Sequence, residues 1–184
     1  MNLFFRLMVV FIRARLSKSR ISIIDEARLN YRVWLTDQDM FMHMTNSRYL
    51  SFSDLGTINY IVRTGSWAVL RKKGWFPVIC AQSMIVTRML TTPQKFTLVS
   101  SVTGWTDTYV GLSHKFYHKE RVHAEVRVIA RFASRDKTKV SPQAMIDEVG
   151  EVLISPDLPE DYLKMIQSIE QARQNSSAGS ENST

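Results

Sequence analysis

The chain has 184 residues, of which 45% are hydrophobic, and this length and composition suit one domain with a substantial core. Its single cysteine, Cys80, excludes an intrachain disulfide and a cysteine-rich metal site, and favours a reducing, cytoplasmic compartment. The formal charge of +7 and the pI near 9.7 favour an anionic partner, which is a phosphorylated cofactor, nucleic acid or an acidic membrane surface. Charge alone does not choose among these partners.

Residues 1–24 form an amphipathic N-terminal segment, because apolar side chains recur in its first half at helical spacing. The basic residues that precede the first acid, Asp25, are Arg6, Arg13, Arg15, Lys18 and Arg20, and they are expected to approach an acidic surface together. The apolar run over 7–12 is far shorter than the ~20 residues that a spanning helix needs. Two alternatives remain: residues 1–20 make a peripheral membrane contact, or they pack on their own domain or on a partner subunit.

The next elements predict an α+β fold. Alternating apolar residues from Leu29 to Leu35 predict a strand, and the largely apolar segment 49–62 predicts a long helix that is buried nearly all round. A short helix over 67–73 and four strands follow, over 78–90, 96–105, 109–118 and 122–135. In the last strand apolar residues alternate with polar ones, and only Ile129 breaks the alternation, which is typical of an antiparallel sheet with one covered face.

The domain is expected to span 25–155, followed by a C-terminal appendage over 156–184. Two prolines, Pro156 and Pro159, precede a predicted helix over 160–171. The tail beyond it is rich in Ser and Asn, and is predicted to be disordered.

The densest cluster of reactive side chains lies between the first strand and the long helix, where a loop is held by rigid elements. It contains Asp37, Asp39, His43, Asn46 and Tyr49. These five match in register the pattern Asp-x-Asp-x-x-Gly-His-x-Asn-Asn-x-x-Tyr, so the stretch resembles the 4-hydroxybenzoyl-CoA thioesterase-like branch of hotdog-fold acyl-CoA thioesterases. The similarity of element order runs from about Arg28 to Arg135. Met42 stands where the pattern has glycine, and Thr45 where it has the first asparagine.

The resemblance implies a single hotdog domain, in which an antiparallel sheet wraps around a long central helix. It implies hydrolysis of an acyl-CoA thioester to free acid and thiol, with no cofactor or metal. It also implies a homodimer or a dimer of dimers, whose sheets join edge to edge and whose active sites are shared between protomers.

The resemblance also assigns roles to residues of the motif. Asp39 is the catalytic carboxylate, backbone N–H groups near Asn46 stabilise the negative charge on the carbonyl oxygen, and His43 and Asn46 place substrate or water. Substrate contacts are expected from Met42, Tyr49 and Asp54. A methionine in place of glycine is expected to narrow or reshape the pocket, and Asp37 is expected to be a cap or turn residue.

Three alternatives compete with hydrolysis. A hotdog hydratase or dehydratase has its Asp and His one residue further apart than Asp39 and His43. A non-catalytic acyl-ligand or CoA-ligand binder would have lost activity through Met42. A nucleic-acid module would use the basic, aromatic strands from His114 to Phe132, but Phe116 and Phe132 fit core positions, so nucleic acid is not expected as a partner. The histidines of these strands, which are His114, His118 and His123, are expected to be ordinary sheet residues and not a zinc site.

Overall fold

The computed structural model describes residues 3–17, 19–136 and 138–181. The helices are α1 (Leu3–Leu16), α2 (Asn46–Arg63), α3 (Ser66–Lys73), α4 (Pro142–Val149) and α5 (Glu160–Glu181). The strands are β1 (Ala27–Arg32), β2 (Trp75–Val86), β3 (Lys95–Trp105), β4 (Val110–His118), β5 (Arg121–Ser134) and β6 (Lys139–Val140). This order confirms the predicted succession of strand, long helix, short helix and four strands.

All neighbouring strands are antiparallel, and the order across the sheet is β1-β3-β4-β5-β2, with β6 paired to one end of β5. The long helix α2 lies against one face of this sheet. Its residues Tyr49, Phe52 and Leu55 are fully buried, and they pack in one core with the sheet residues Leu98, Phe116 and Val126. The burial of apolar area between helix and sheet is the main stabilising term of such an arrangement.

The outer face of the sheet is covered in part by α5, which explains why the alternation in β5 fails at Ile129. The residues Ala124, Val126, Val128 and Ala130 belong to the core under α2, as the alternation predicts. Ile129 points to the other face, where it packs with Tyr109 and with Tyr162 of α5. A strand that is covered on both faces does not need a polar residue at this position.

Several predicted boundaries are wrong. The strand predicted over 78–90 is Trp75–Val86, and the long helix begins at Asn46 and not at residue 49. The first strand ends at Arg32 and not at Leu35, because the chain turns at Leu35–Asp37, where the Asp37 carboxylate accepts the N–H of Trp34 at 3.1 Å. The predicted helix end at 171 is also wrong, since α5 continues to Glu181 through most of the tail predicted to be disordered. Once the first turns of α5 have packed on the sheet, each further residue extends the helix at little cost. Residues 182–184 of that tail lie outside the described residues.

The segment after β5 also contains structure that the sequence pattern did not predict. Helix α4 begins at Pro142, and the hydroxyl of Ser141 caps it by accepting the N–H of Ala144 at 3.1 Å. Serine before proline at the first helical position is a common helix start.

Helix α1 packs on α2, which confirms the alternative that the N-terminal helix packs on its own domain. Val10 and Ala14 are buried in α1, and Phe11 also meets Trp67 of α3 edge to face, with the ring centroids 5.2 Å apart. The expectation that Arg6 faces an acidic surface with the other basic residues is wrong, because Arg6 is buried against the carboxylate of Asp37 at 2.8 Å. Among the described helices, none is long and apolar enough to cross a bilayer.

Candidate active site

The loop between β1 and α2 is anchored at Asp37, whose side chain is completely buried. Its Oδ2 accepts a hydrogen bond from Arg6 of α1, and Arg48 Nε of α2 lies 3.4 Å from its Oδ1. Its backbone carbonyl accepts the N–H of Thr45 at 3.0 Å. Asp37 therefore joins α1, the loop and α2, which is the structural role expected of it.

Asp39 lies two residues further on, in an exposed turn. Its Oδ1 accepts the N–H groups of Phe41 at 2.8 Å and of His43 at 3.2 Å, and its own N–H donates to the His43 carbonyl at 2.9 Å. One oxygen of the carboxylate thus closes the turn, while Oδ2 accepts no hydrogen bond from the described side chains and backbone. A catalytic role of Asp39 stays a prediction.

Met42 adopts the left-handed backbone conformation, with φ at 64°. This is the position where the motif has glycine, which reaches positive φ without steric cost. The conformation is held by Met42 N–H donating to the Asp39 carbonyl at 3.1 Å, and by Gln38 Nε2 donating to the Met42 carbonyl at 2.5 Å. The methionine side chain is exposed.

The remaining motif residues lie at the start of α2. His43 is half-buried and forms a short β-bridge with Thr91, and Asn46 is the exposed first residue of the helix. No described side chain caps the helix, because the Thr45 hydroxyl bonds to the Ser47 hydroxyl instead. The N–H of Arg48 donates to the Thr45 carbonyl at 2.9 Å, so the N–H groups of Asn46 and Ser47 are the ones open to an oxygen of a ligand. Tyr49 is fully buried, and its oxygen accepts the N–H of Leu90 at 3.1 Å.

An apolar cavity of about 280 Å³ lies between the second half of α2 and the sheet. It is lined mainly by apolar side chains from the helices and strands, including Ile61, Val102, Leu112, Val128, Ala130 and Met145. Asp54 is the only charged residue among the described residues that line it. Asp54 is an exposed residue at the rim, and partial desolvation of its carboxyl group by the protein raises its pKa above the ordinary aspartate value.

The structure thus separates the predicted site residues into two groups along α2. Asp39 and His43 share the turn, next to Asn46, whereas Asp54 lies on the cavity. None of the motif residues Asp39, Met42, His43, Asn46 and Tyr49 lines the cavity. Residues 46 and 54 are eight apart, which is a rise of about 12 Å along a helix. One carbonyl group therefore does not contact both groups within one protomer.

A buried polar network lies behind the cavity. Thr57, which lines the cavity one turn after Asp54, has its hydroxyl 3.2 Å from Nε2 of His114, and the Ser100 hydroxyl lies 2.9 Å from Nδ1. Because the Thr57 hydroxyl also donates to the Ser53 carbonyl at 3.1 Å, a neutral imidazole with its proton on Nε2 satisfies both contacts. Complete burial lowers the pKa of His114 to about 4, which keeps the ring neutral.

The network requires a close approach of α2 to the sheet, and Gly56 allows it. A β-carbon at this position would overlap the Ser100 hydroxyl oxygen. Sequence reasoning took His114 for an ordinary sheet residue and missed its contact with Thr57. The available signal was the spacing of three residues between Asp54 and Thr57, which places both on one side of a helix.

The model of the thioesterase-like superfamily matches residues 33–158, which is more than half of the chain. Zebrafish protein THEM6 is 24% identical over 153 residues, which cover 83% of this chain and 74% of that protein. The crystal structure of YbaW, a probable thioesterase from Escherichia coli, has a TM-score of 0.62 at 15% identity and covers 67% of this chain and 96% of its own.

The DHNA-CoA thioesterase from Staphylococcus aureus has a TM-score of 0.55 at 11% identity, covering 70% of this chain and 97% of its own. These likenesses confirm the predicted fold class, a hotdog domain with an antiparallel sheet around a central helix. The chain belongs to the thioesterase-like superfamily.

Proposed function

We propose that this protein hydrolyses an acyl-CoA thioester, with the acyl group in the apolar cavity and the thioester carbonyl at Asp54. The observation that carries this proposal is a cavity with apolar walls and a single carboxylate at its rim. Ligand sites are commonly apolar with a few convergent polar groups, and a desolvated acid at such a site is a candidate base. Family membership and the fold shared with a CoA thioesterase support the reaction class.

Asp54 acts in this scheme by attacking the carbonyl carbon or by taking a proton from the attacking water. Desolvation raises its pKa, which makes the ionised carboxylate a stronger base than an ordinary aspartate. Negative charge builds on the carbonyl oxygen, and the thiolate of CoA leaves. In a plot of kcat/KM against pH, the midpoint of the acid limb is expected above the ordinary aspartate pKa, because the carboxyl group must be ionised.

The motif loop gives the second candidate for the base. The resemblance assigns catalysis to Asp39, and the uncapped N–H groups at the start of α2 lie in the same part of the molecule. In a homodimer whose active sites are shared between protomers, a motif loop and the cavity of the partner would come together. We propose this homodimer as the functional form.

The test measures thiol release over a panel of acyl-CoA chain lengths. Asp54→Asn is expected to lower kcat by about 100-fold or more, which is the usual contribution of a positioned base. Asp39→Asn tests the motif loop, and Asp107→Asn, in an exposed turn between β3 and β4, is the matched control. If only Asp39→Asn lost activity, Asp39 in the motif loop would be the base and not Asp54. If the parent protein releases no thiol from any substrate, the hydrolase proposal fails.

The cavity has its own test. Ala130→Leu adds bulk to the wall and is expected to shift the preferred acyl length to shorter chains, with acetyl-CoA turnover preserved. Ala133→Leu, on the same strand but outside the cavity lining, is the control. An unchanged chain-length profile in Ala130→Leu would show that the acyl group lies elsewhere.

We also propose that α1 makes a peripheral membrane contact. The face of α1 opposite the packed face exposes four large apolar side chains, Phe5, Met8, Ile12 and Leu16, which we call the α1 stripe. Exposed contiguous apolar surface of this kind marks an interaction site. A helix that packs on its domain with one face and presents apolar residues on the other suits the boundary between headgroups and acyl chains.

A further inference from the structure

A pocket lined by cations lies beside α1, at the β1 edge of the sheet. Its lining includes Arg6, Arg13, Tyr31, Arg32, Trp34 and Lys95, and we call it the basic pocket. It has a volume of about 570 Å³ and is open to solvent. Four of these six side chains carry a positive charge, and no acidic residue is among the described residues that line it.

Three of the four cations in the basic pocket lack a compensating acid. Arg6 is paired with Asp37, but Arg13, Arg32 and Lys95 are exposed and form no ion pair with any residue that the structure describes. Like charges gathered at one pocket repel one another, and a bound anion relieves this repulsion. The charges therefore favour an anionic ligand.

Tyr31 adds a hydrogen-bond donor to these charges. Its ring packs against Phe52 and Phe96, with centroid distances of 4.8 and 5.7 Å. Its hydroxyl oxygen is buried and has no hydrogen-bond partner among the described residues, an arrangement that costs free energy. A phosphate oxygen in the pocket would accept a hydrogen bond from this hydroxyl group and remove the cost.

The basic pocket lies next to the α1 stripe, and this position favours a membrane as the source of an anionic ligand. Successive helical residues are about 100° apart, so Arg13 projects about 60° from Leu16, at the border between the stripe and the packed face. Trp34, at the pocket rim, is 56% exposed, and tryptophan is enriched where hydrocarbon meets headgroups. Apolar side chains, an exposed tryptophan and unpaired cations thus lie side by side.

We propose that the basic pocket binds the phosphate of an anionic phospholipid headgroup while the α1 stripe enters the bilayer interface. This headgroup site rests on the proposed membrane contact of α1. It differs from that contact by including residues outside the N-terminal segment, on β1 and β3.

The test is sedimentation of the full chain with vesicles, made of phosphatidylcholine alone or mixed with phosphatidylserine. The double variant Arg13→Glu/Arg32→Glu is compared with Arg71→Glu/Lys72→Glu on α3, which makes the same charge change at exposed positions. We expect the pocket variant to lose at least about tenfold in affinity for the mixed vesicles, since each basic residue contributes about 1 kcal/mol at an anionic surface. The α3 variant is expected to lose less than about threefold.

A milder variant, Tyr31→Phe, keeps the ring and removes only the hydroxyl. It is expected to weaken binding to the mixed vesicles about threefold and to leave binding to neutral vesicles unchanged. Circular dichroism and turnover of a short-chain acyl-CoA confirm that each variant is folded.

The outcomes separate the headgroup site from the membrane contact. Met8→Ser/Ile12→Ser tests the stripe alone, and is expected to weaken binding to both kinds of vesicle. If the parent protein binds no vesicles, the membrane contact fails and the headgroup site fails with it. If the pocket variant and the α3 variant bind mixed vesicles equally, the headgroup site is wrong while the membrane contact stands.

Two further results would overturn the headgroup site. Calorimetry with inorganic phosphate and with CoA tests soluble phosphates. Suppose that the parent protein binds phosphate or CoA but no vesicles, and that the pocket variant loses this binding. The basic pocket would then be a site for a soluble ligand. A change of oligomeric state in the stripe variant, again without vesicle binding by the parent, would show that a second copy of the chain covers the stripe.

Discussion

Asp37 and Asp39 lie two residues apart and occupy opposite environments. Asp37 is completely buried between two arginines, whereas Asp39 is exposed and closes a turn. The motif spacing predicted that both belong to one functional loop, and the turn role of Asp37 is confirmed. Burial of Asp37 was not predictable, because it depends on Arg6, which is thirty-one residues away in the chain. The sequence could place the loop but not the charges that approach it.

Met42 carries backbone strain that a substitution can release. A non-glycine residue in the left-handed region costs about 1–2 kcal/mol, of which the greater freedom of glycine in the unfolded chain offsets about half. Met42→Gly is therefore expected to raise the free energy of unfolding by up to about 1 kcal/mol, measured by urea denaturation. Because Met42 does not line the cavity, the acyl-length profile is expected to stay unchanged.

The control for this change is Met40→Gly, in the same exposed turn but without positive φ. It relieves no strain and is expected to leave stability unchanged or lower it. If both substitutions changed the free energy of unfolding by the same amount, the backbone conformation of Met42 would not be strained.

His114 makes stability depend on pH. Its pKa is about 4 in the folded protein and near 6.5 in the unfolded chain, so between these values the unfolded chain binds the extra proton. Stability is therefore expected to fall as the pH drops from 6.5 to 4. A pKa difference of about 2.5 corresponds to a loss of about 3 kcal/mol.

Urea denaturation at several pH values checks the His114 prediction. His114→Gln is expected to flatten the dependence between pH 4 and 6.5, at a lower overall stability. His118→Gln, at a half-buried position near the end of β4, serves as the comparison. A dependence in His114→Gln as steep as in the parent would assign the effect to the carboxylates instead.

At the scale of elements, α1 and α2 are held together by the buried pair of Arg6 and Asp37. Removing one partner of a buried ion pair leaves the other charge uncompensated, at a cost of about 3–5 kcal/mol, which Arg48 reduces here. Arg6→Met is expected to lower the free energy of unfolding by about 3 kcal/mol, and Arg13→Met, at an exposed position, by much less.

The double variant Arg6→Met/Asp37→Asn isolates the ionic part of this effect. It removes both charges, so it is expected to cost less than the sum of the two single changes. Additive costs would mean that Arg6 stabilises the protein through packing on Phe52 alone.

Periodicity predicted most of the elements. It failed where a contact between distant segments determines which face packs or where an element ends. Alternation identified β5 and apolar content identified α2, since both elements bury a regular face in one core. Helix α1 carries apolar residues on its packed face and on its exposed face, so the sequence could not tell which of them packs on α2. The helical extension of α5 depends on its packing through Tyr162. The cavity was not predictable, because its walls come from segments between Ile23 and Ile146.

At the scale of the whole molecule, the sheet has a long open edge. β2 is a twelve-residue edge strand, with Phe76, Ile79 and Ile85 exposed along it. The unpaired backbone N–H and C=O groups of such an edge favour pairing with a strand of another chain. We expect a dimer at micromolar concentration by light scattering, formed by β2 of two copies.

Charges at the edge should weaken this pairing. Phe76→Lys/Ile85→Lys is expected to shift the protein to the monomer, whereas Val122→Lys, exposed at the start of β5, is not. A parent protein that is monomeric at this concentration, or a double variant that stays dimeric, would contradict the proposed interface.

The pair of Arg6 and Asp37 also links the motif loop to α1, the helix for which a membrane contact is proposed, so that the two depend on each other thermodynamically. A bilayer that holds α1 in place favours the arrangement in which Asp37 is neutralised and the loop is ordered. Coupling of this kind is reciprocal. If vesicles raise the affinity for substrate by some factor, substrate raises the affinity for vesicles by the same factor. Equilibrium binding measured in either direction would give the same factor.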